Sequence, residues 1–387
     1  MATPGMVASV EWTDGKRYLW MLGALTITLP IVAAVSALAT GWHPLWWAGP
    51  FIVFTIIPLL DFLIGDDPEN PPEDVVPTLE KQRYYRRIVY LATTVLYVSF
   101  AVSMWVLRTY DLVWYDYLAF AFSVGVVTGI SINTAHELGH KTDGFERWLA
   151  KITLAPVAYG HFFVEHNRGH HVRVATPADP ASARYGESFW EFLPRTVVGS
   201  VKSAWALEKR RLEQQGHSVW SWRNDVLNAW AMTVVLWGVC IAFVGLKAVP
   251  FLIIQAIYGA SLLEVVNYLE HYGLCRQQLP SGRYERCTPQ HSWNSNHVVT
   301  NLFLYQLQRH ADHHANPTRS FQALRHFEHS PQLPAGYAAM IMVAYVPPLW
   351  FRVMNPRVVA HYNGNMSLAN IKPSIRDKVL AQYPARA

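Results

Sequence analysis

Long apolar runs broken by short polar connectors organise this chain. Six stretches carry the pattern: Tyr18 to Leu38, Leu45 to Ile64, Ile88 to Leu107, Tyr115 to Asn133, Ala229 to Val244 and Val249 to Leu269. Most approach the roughly 20 residues that a bilayer core requires of a helix. The pattern predicts an all-α polytopic membrane protein with six transmembrane helices and two large polar regions, 135–228 and 270–387. Read as domains, the chain is one integral membrane unit, 1–387. Helices one to four span 18–134, a polar region follows at 135–228, helices five and six lie within 229–269, and a second polar region closes the chain. The run from Ala335 to Val346 is apolar but short, and Pro347 and Pro348 end it, so it reads as buried or interfacial. The segment from Asp66 to Lys81, with Pro68, Pro71, Pro72, Pro77 and several acids, reads as a solvated linker.

Composition supports a lipid solvent, with 51% hydrophobic, 13% aromatic and only 15% charged residues. The positive charge is uneven. Lys16, Arg17, Lys81, Arg83, Arg86 and Arg87 fall on one side of the predicted spans, whereas the opposite connectors hold only Arg108 and Lys247. Lysine and arginine favour the cytoplasmic side, so both termini and both polar regions are expected there. No small-residue cleavage site follows the first span, which reads as a retained anchor. The sixteen tryptophans fit interfacial and packing roles better than a cofactor box.

Nine histidines on that expected cytoplasmic side carry the chemistry. They form four clusters: His136 and His140 in HELGH; His166, His170 and His171 in EHNRGHH; His271; and His310, His313 and His314 in RHADHH. Residues three or four apart share a helical face, so each multiple cluster can aim two nitrogens inward. One tetrahedral metal holds at most four protein ligands, so the count points to two metal ions, and imidazole suits iron, copper, nickel and zinc alike. Two clusters start where predicted helices leave the membrane, which suits a lipophilic substrate arriving along the bundle. Residues of the second and third spans are the expected channel walls. Glu264 and Asn267 lie on one stripe of the sixth span with His271, while Glu137, Glu165 and Asp312 flank or enter the clusters. Such groups orient a ligating imidazole through its second nitrogen. His43, His161, His217, His291, His297, His326, His329 and His361 lack ligand spacing; His161 and His297 are the next candidates among them.

Other chemistries lack their motifs. No G-x-G-x-x-G, Walker A or nucleophile elbow occurs, and nothing points to nucleic acid. The three cysteines have no C-x-x-C spacing. HELGH alone fits a membrane zinc metalloprotease with Glu137 as general base, but that leaves seven histidines unexplained. A metal transporter or sensor predicts ligands along a path through the membrane, whereas these gather on one side. Two redox-active metals held by neutral imidazoles fit an oxidase or oxygenase.

The blocks NTAHELGHK, FFVEHNRGHHVRVATPADPASARYGES, NYLEHYGL, HSWNSNHVVTN and LQRHADHHANPTRSFQALRH resemble the signatures of the membrane-bound non-heme di-iron alkane monooxygenases, the bacterial alkane omega-hydroxylases. The likeness extends from about residue 16 to about residue 360 and includes NPPEDVVPTLEKQRYYR. It implies hydroxylation of the terminal methyl of medium-chain n-alkanes by dioxygen, in the inner membrane. The nine histidines would hold two irons, and Asp179 of ATPADP would support a ligand. Electrons would come from rubredoxin, itself reduced by rubredoxin reductase. The absence of paired C-x-x-C motifs makes that donor a separate protein. A basic face including Arg173, Arg184, Lys202 and Lys209 to Arg211 could steer it, although membrane topology alone explains the same charge. Desaturases and aromatic-methyl hydroxylases such as xylene monooxygenase share the histidine spacing and remain open as alternatives.

Overall fold

The computed structural model describes residues 12–384; the ends of the predicted 1–387 unit, 1–11 and 385–387, lie outside the described residues. The described chain is helical, and its only β pairing is four isolated bridges. The first predicted span is interrupted: α1 (Met21–Thr26) stops and α2 (Leu29–Thr40) restarts. Pro30 has no N–H for the preceding turn. Thr26 and Thr28 also turn their hydroxyls back onto the carbonyls of Leu22 and Leu25, at 2.7 Å each.

Among the described residues, five helices are long and apolar enough to cross a membrane: α3 (His43–Ile64), α4 (Arg83–Thr109), α5 (Trp114–Gly139), α7 (Asp225–Val244) and α8 (Ala248–His271). Between them α6 (Phe189–Gln214) opens with a Ser188 and Glu191 capping box. Further on lie α9 (His310–Ala315), α10 (Tyr337–Ala344) and α11 (Pro347–His361). The last two form an apolar pair bent by 119°, which raises the number of spans to six if counted as one. The chain is a multi-pass membrane protein.

Two helices position the site. α5 continues past Asn133 to Gly139, with His140 as its cap, and α8 continues to His271, so His136 and His271 sit on the last turns of the spans themselves. Glycines bring these two helices together. A Cβ on Gly259 would meet the Gly125 carbonyl oxygen at 2.9 Å, and one on Gly129 would meet the Gly259 oxygen at 2.9 Å. In a lipid setting helix association relies on such close backbone approach.

The segment 66–81 is not a solvated loop. Val76 and Leu79 are buried in a short helix, Val76–Glu80, and Asp66 bridges to His297 while the Asp67 N–H donates to the Asn296 oxygen at 3.0 Å.

Candidate metal centre

Nine imidazoles converge in two groups. His136, His140, His166, His171 and His313 form one; His170, His271, His310 and His314 form the other. Within each group the potential ligand atoms lie within 4.8 Å of one another. Local helical geometry explains the division. His136 and His140 are four apart at the end of α5 and share a face. The chain from Glu165 to His170 is a π-helix, whose i→i+5 period aligns His166 with His171 and turns His170 the other way. On α9, His310 and His314 face the second group while His313 faces the first. The groups share a wall, with the His171 and His314 ring centroids 4.6 Å apart.

The donors fit a metal. In the first group the Nε2 atoms run as a chain: His140 to His166 at 3.1 Å, His166 to His171 at 3.0 Å, His171 to His313 at 3.0 Å and His313 to His136 at 2.9 Å. Each ring proton serves one neighbour, so tautomers alone leave contacts in this chain unmade. In the second group the Nε2 atoms of His170 and His271 are buried without any partner, whereas their Nδ1 atoms are fixed by Asp179 Oδ2 at 2.9 Å and the His291 carbonyl oxygen at 3.2 Å. That is the arrangement of a ligating histidine whose other nitrogen is held. Burial, aided by neighbouring imidazoles, keeps His140, His166, His171, His310, His313 and His314 well below the usual histidine range. They are neutral at physiological pH, with the lone pair a cation needs.

The flanking polar residues divide differently from expectation. Asp179 touches a clustered imidazole; burial pushes its carboxyl up, but the His170 ring and the Ser182 hydroxyl bring it down to about 2. The rest bond elsewhere. Glu137 pairs with Lys141 at 2.7 Å, and Glu165 pairs with Arg173 at 2.7 Å. Glu264 accepts from Tyr159 at 2.6 Å, Thr196 at 2.8 Å and Asn267 at 3.2 Å. Asp312 accepts from Asn316, Arg319 and the Arg325 N–H, each at 2.8–3.0 Å.

Sequence reasoning passed over Glu270. Its Oε2 lies 3.1 Å from His310 Nε2, the atom that also meets His314 Nε2 at 2.8 Å, and its Oε1 is buried without a partner. The available signal was an acid on the last turn of an apolar span, directly before a candidate ligand. His161 and His297 join neither group; His297 bonds Ser295 and Asp66 instead.

Between the helices lies an apolar cavity of about 80 Å³. Val53, Phe54 and Ile57 of α3, Gly129 and Ile130 of α5, and Leu262 and Val266 of α8 form much of its wall. The third predicted span, now α4, contributes nothing, because it packs behind α5. His136, His166, His310 and Glu270 also line the cavity, so both imidazole groups border it.

A family model described as fatty acid desaturase matches residues 112–344. The alkane 1-monooxygenase of Pseudomonas putida is 46% identical over 374 residues, covering 96% of this chain and 93% of that protein. The chain belongs to the alkane 1-monooxygenase family. Alkane 1-monooxygenase 1 of Alcanivorax borkumensis is 47% identical over 368 residues, covering 95% and 91% of the two chains. More distantly, the hydroxylase component of xylene/toluene monooxygenase from Pseudomonas putida is 26% identical over 238 residues, 61% of this chain and 62% of that one. An alkane 1-monooxygenase family member with nine buried or half-buried imidazoles in two groups has a metal site at the end of its membrane helices.

Proposed function

We propose that this protein hydroxylates the terminal methyl of medium-chain n-alkanes, giving primary alcohols. Dioxygen supplies the inserted oxygen atom, and two electrons and two protons carry the second oxygen atom to water. The observation that carries this reading is the apolar cavity whose wall includes members of both imidazole groups. Its aliphatic wall offers an alkane about 0.8 kcal/mol per buried methylene.

Two non-heme irons are the proposed cofactor. The first would be held by His136, His140, His166, His171 and His313, the second by His170, His271, His310 and His314 with Glu270 beside it. When bound, the irons supply the redox chemistry that activates dioxygen. The protein's own residues do the rest. Asp179 fixes the His170 ring so that its Nε2 points at the second group, and the His291 carbonyl does the same for His271. Ile57, Leu262 and Val266 exclude water from the reacting end and admit an unbranched chain, so that its terminal methyl reaches the imidazoles first.

Rubredoxin, recharged by its reductase, is the proposed electron donor. His140 and His171 are the two members of the first group that are not fully buried, and the neighbouring Val172 is 65% exposed. A donor docking there would come close to the first iron. The charges of Arg173, Lys209 and Arg211 are already engaged by Glu165, Glu213 and Glu208, which leaves Arg184, Lys202 and Arg210 as the freer part of the basic face. We place this side in the cytoplasm and the protein in a bacterial inner membrane. The test is incubation of iron-loaded protein with octane, rubredoxin, its reductase and labelled dioxygen. Labelled 1-octanol is expected; its absence from a preparation with an intact di-iron spectrum overturns the assignment.

A further inference from the structure

α9 serves both imidazole groups, through His313 on one side and His310 and His314 on the other, as the π-helical segment does through His166 and His170. With only six residues it cannot hold its own orientation, because a helix this short is marginal without outside support. Its support comes from the segment between α3 and α4. Arg309, directly ahead of the helix, is 2% exposed. Its guanidinium donates to the carbonyl oxygens of Asp67 at 2.8 Å, Glu69 at 2.9 Å and Leu324 at 2.8 Å. Asn70 then clasps the following loop, donating to the His326 oxygen at 2.9 Å and accepting from the His326 N–H at 2.6 Å.

A second tie to the same segment runs from Asp312 in the first turn of α9. Asp312 accepts from Arg319 and from the Arg325 N–H. Arg325 pairs in turn with Glu73, and Arg319 approaches the same carboxylate at 3.9 Å. Residues 67–73 therefore grip the helix at two points, Arg309 and Asp312, and they descend directly from α3, which forms one wall of the apolar cavity.

We propose that the segment 67–73 is a strap that sets the position of α9, with Arg309 as its principal positioning residue, and thereby fixes how the two groups of imidazoles meet their metals. The inference rests on the ligand assignment made above but not on the identity of the substrate. Arg309 acts through its planar fork, which spans Leu324 on one side and Asp67 and Glu69 on the other. A lysine ammonium presents all its donors at one point and cannot span both.

The test uses full-length protein in detergent, loaded with cobalt(II), so that the readout is independent of turnover. Arg309→Lys and Arg309→Gln are compared with a variant carrying two glycines inserted between Pro71 and Pro72. The insertion loosens the strap while leaving every side chain of α9 in place. The expected result is that both kinds of variant keep wild-type helix content, change the visible absorption spectrum of the bound cobalt and weaken binding of at least one cobalt by about ten-fold or more, as removal of a ligand's support does elsewhere. Wild-type spectrum and affinity in the glycine-insertion variant overturn the proposal, whether or not the Arg309 variants fold. A lowered melting temperature with an unchanged cobalt spectrum also overturns it, since the strap would then stabilise without positioning. Loss of the cobalt effects tells against the strap alone, whereas absence of alkane oxidation in the iron-loaded wild type tells against the proposed reaction.

Discussion

Glu270 and Asp179 carry the two carboxylates that meet clustered imidazoles, and they do so differently. Asp179 grips the far nitrogen of His170, so Asp179→Asn keeps the shape but removes the charge that favours this ring orientation. Binding at the four-histidine group should weaken about ten- to a hundred-fold while the five-histidine group keeps its metal, which metal analysis after mild chelation can measure. Glu270 reaches the metal side of His310. Glu270→Gln should retain both metals and lower turnover about ten-fold or more, checked by paired metal and product assays. pH acts through the imidazoles. Their folded-state values lie below the ordinary 6.5 because burial disfavours the charged ring. As pH falls below 6.5 the unfolded chain takes up protons that the metal-free native state refuses, so stability is present above 6.5 and declines below it, by up to about 1.4 kcal/mol per pH unit for each imidazole. Thermal unfolding of metal-free protein between pH 7.5 and 5 should show that decline. The clustering of the histidines was legible from spacing; of the acids that meet them Asp179 came only through the family resemblance and Glu270 not at all, because a carboxylate near a clustered histidine in sequence, such as Glu137, Glu165 or Asp312, finds a cation or an N–H more readily than an imidazole.

Among the elements, periodicity served well where helices are regular and failed where they are not. His136 with His140, and His310 with His314, share a face as an α-helix requires. His166 and His170 do not, since the π-helix shifts the shared face to His166 and His171; no residue pattern announces that extra residue per turn. The first span read as continuous because its apolar run is continuous, yet Thr26, Thr28 and Pro30 break it. The linker looked solvated from its prolines and acids, but its backbone carbonyls are spent on Arg309, a use of main-chain atoms that side-chain composition does not reveal. The α5 and α8 contact yields its own prediction. Gly259→Val places methyls where a single Cβ already meets Gly125 at 2.9 Å. It should cost about 1–3 kcal/mol and loosen the site, seen as a lower melting temperature and easier metal loss. Gly238→Ala on α7 meets nothing within 4 Å and should leave both unchanged.

At the scale of the whole molecule, a bundle of membrane helices and an aqueous-edge metal centre meet at one cavity. Composition and hydropathy made the polytopic bundle readable, and histidine spacing made the metal centre readable. The cavity was not, because its walls come from α3, α5, α8, α10 and the segment 300–307, parts distant in sequence that only packing brings together. Filling it should change which alkane fits. Ile57→Trp is expected to move the preferred chain length downward, each expelled methylene forfeiting about 0.8 kcal/mol of binding, and a product profile across alkanes of graded length would show the shift; an unchanged profile would remove this cavity from the substrate's path. The central claim is that the two imidazole groups hold two irons that differ in their ligands, five histidines against four, and that both border the cavity. Mössbauer spectroscopy of protein loaded with the active iron isotope tests it most directly. The account predicts two iron signals of equal area, with different parameters, both perturbed when n-octane is added; a single iron signal, or one zinc per chain in place of iron, would contradict it.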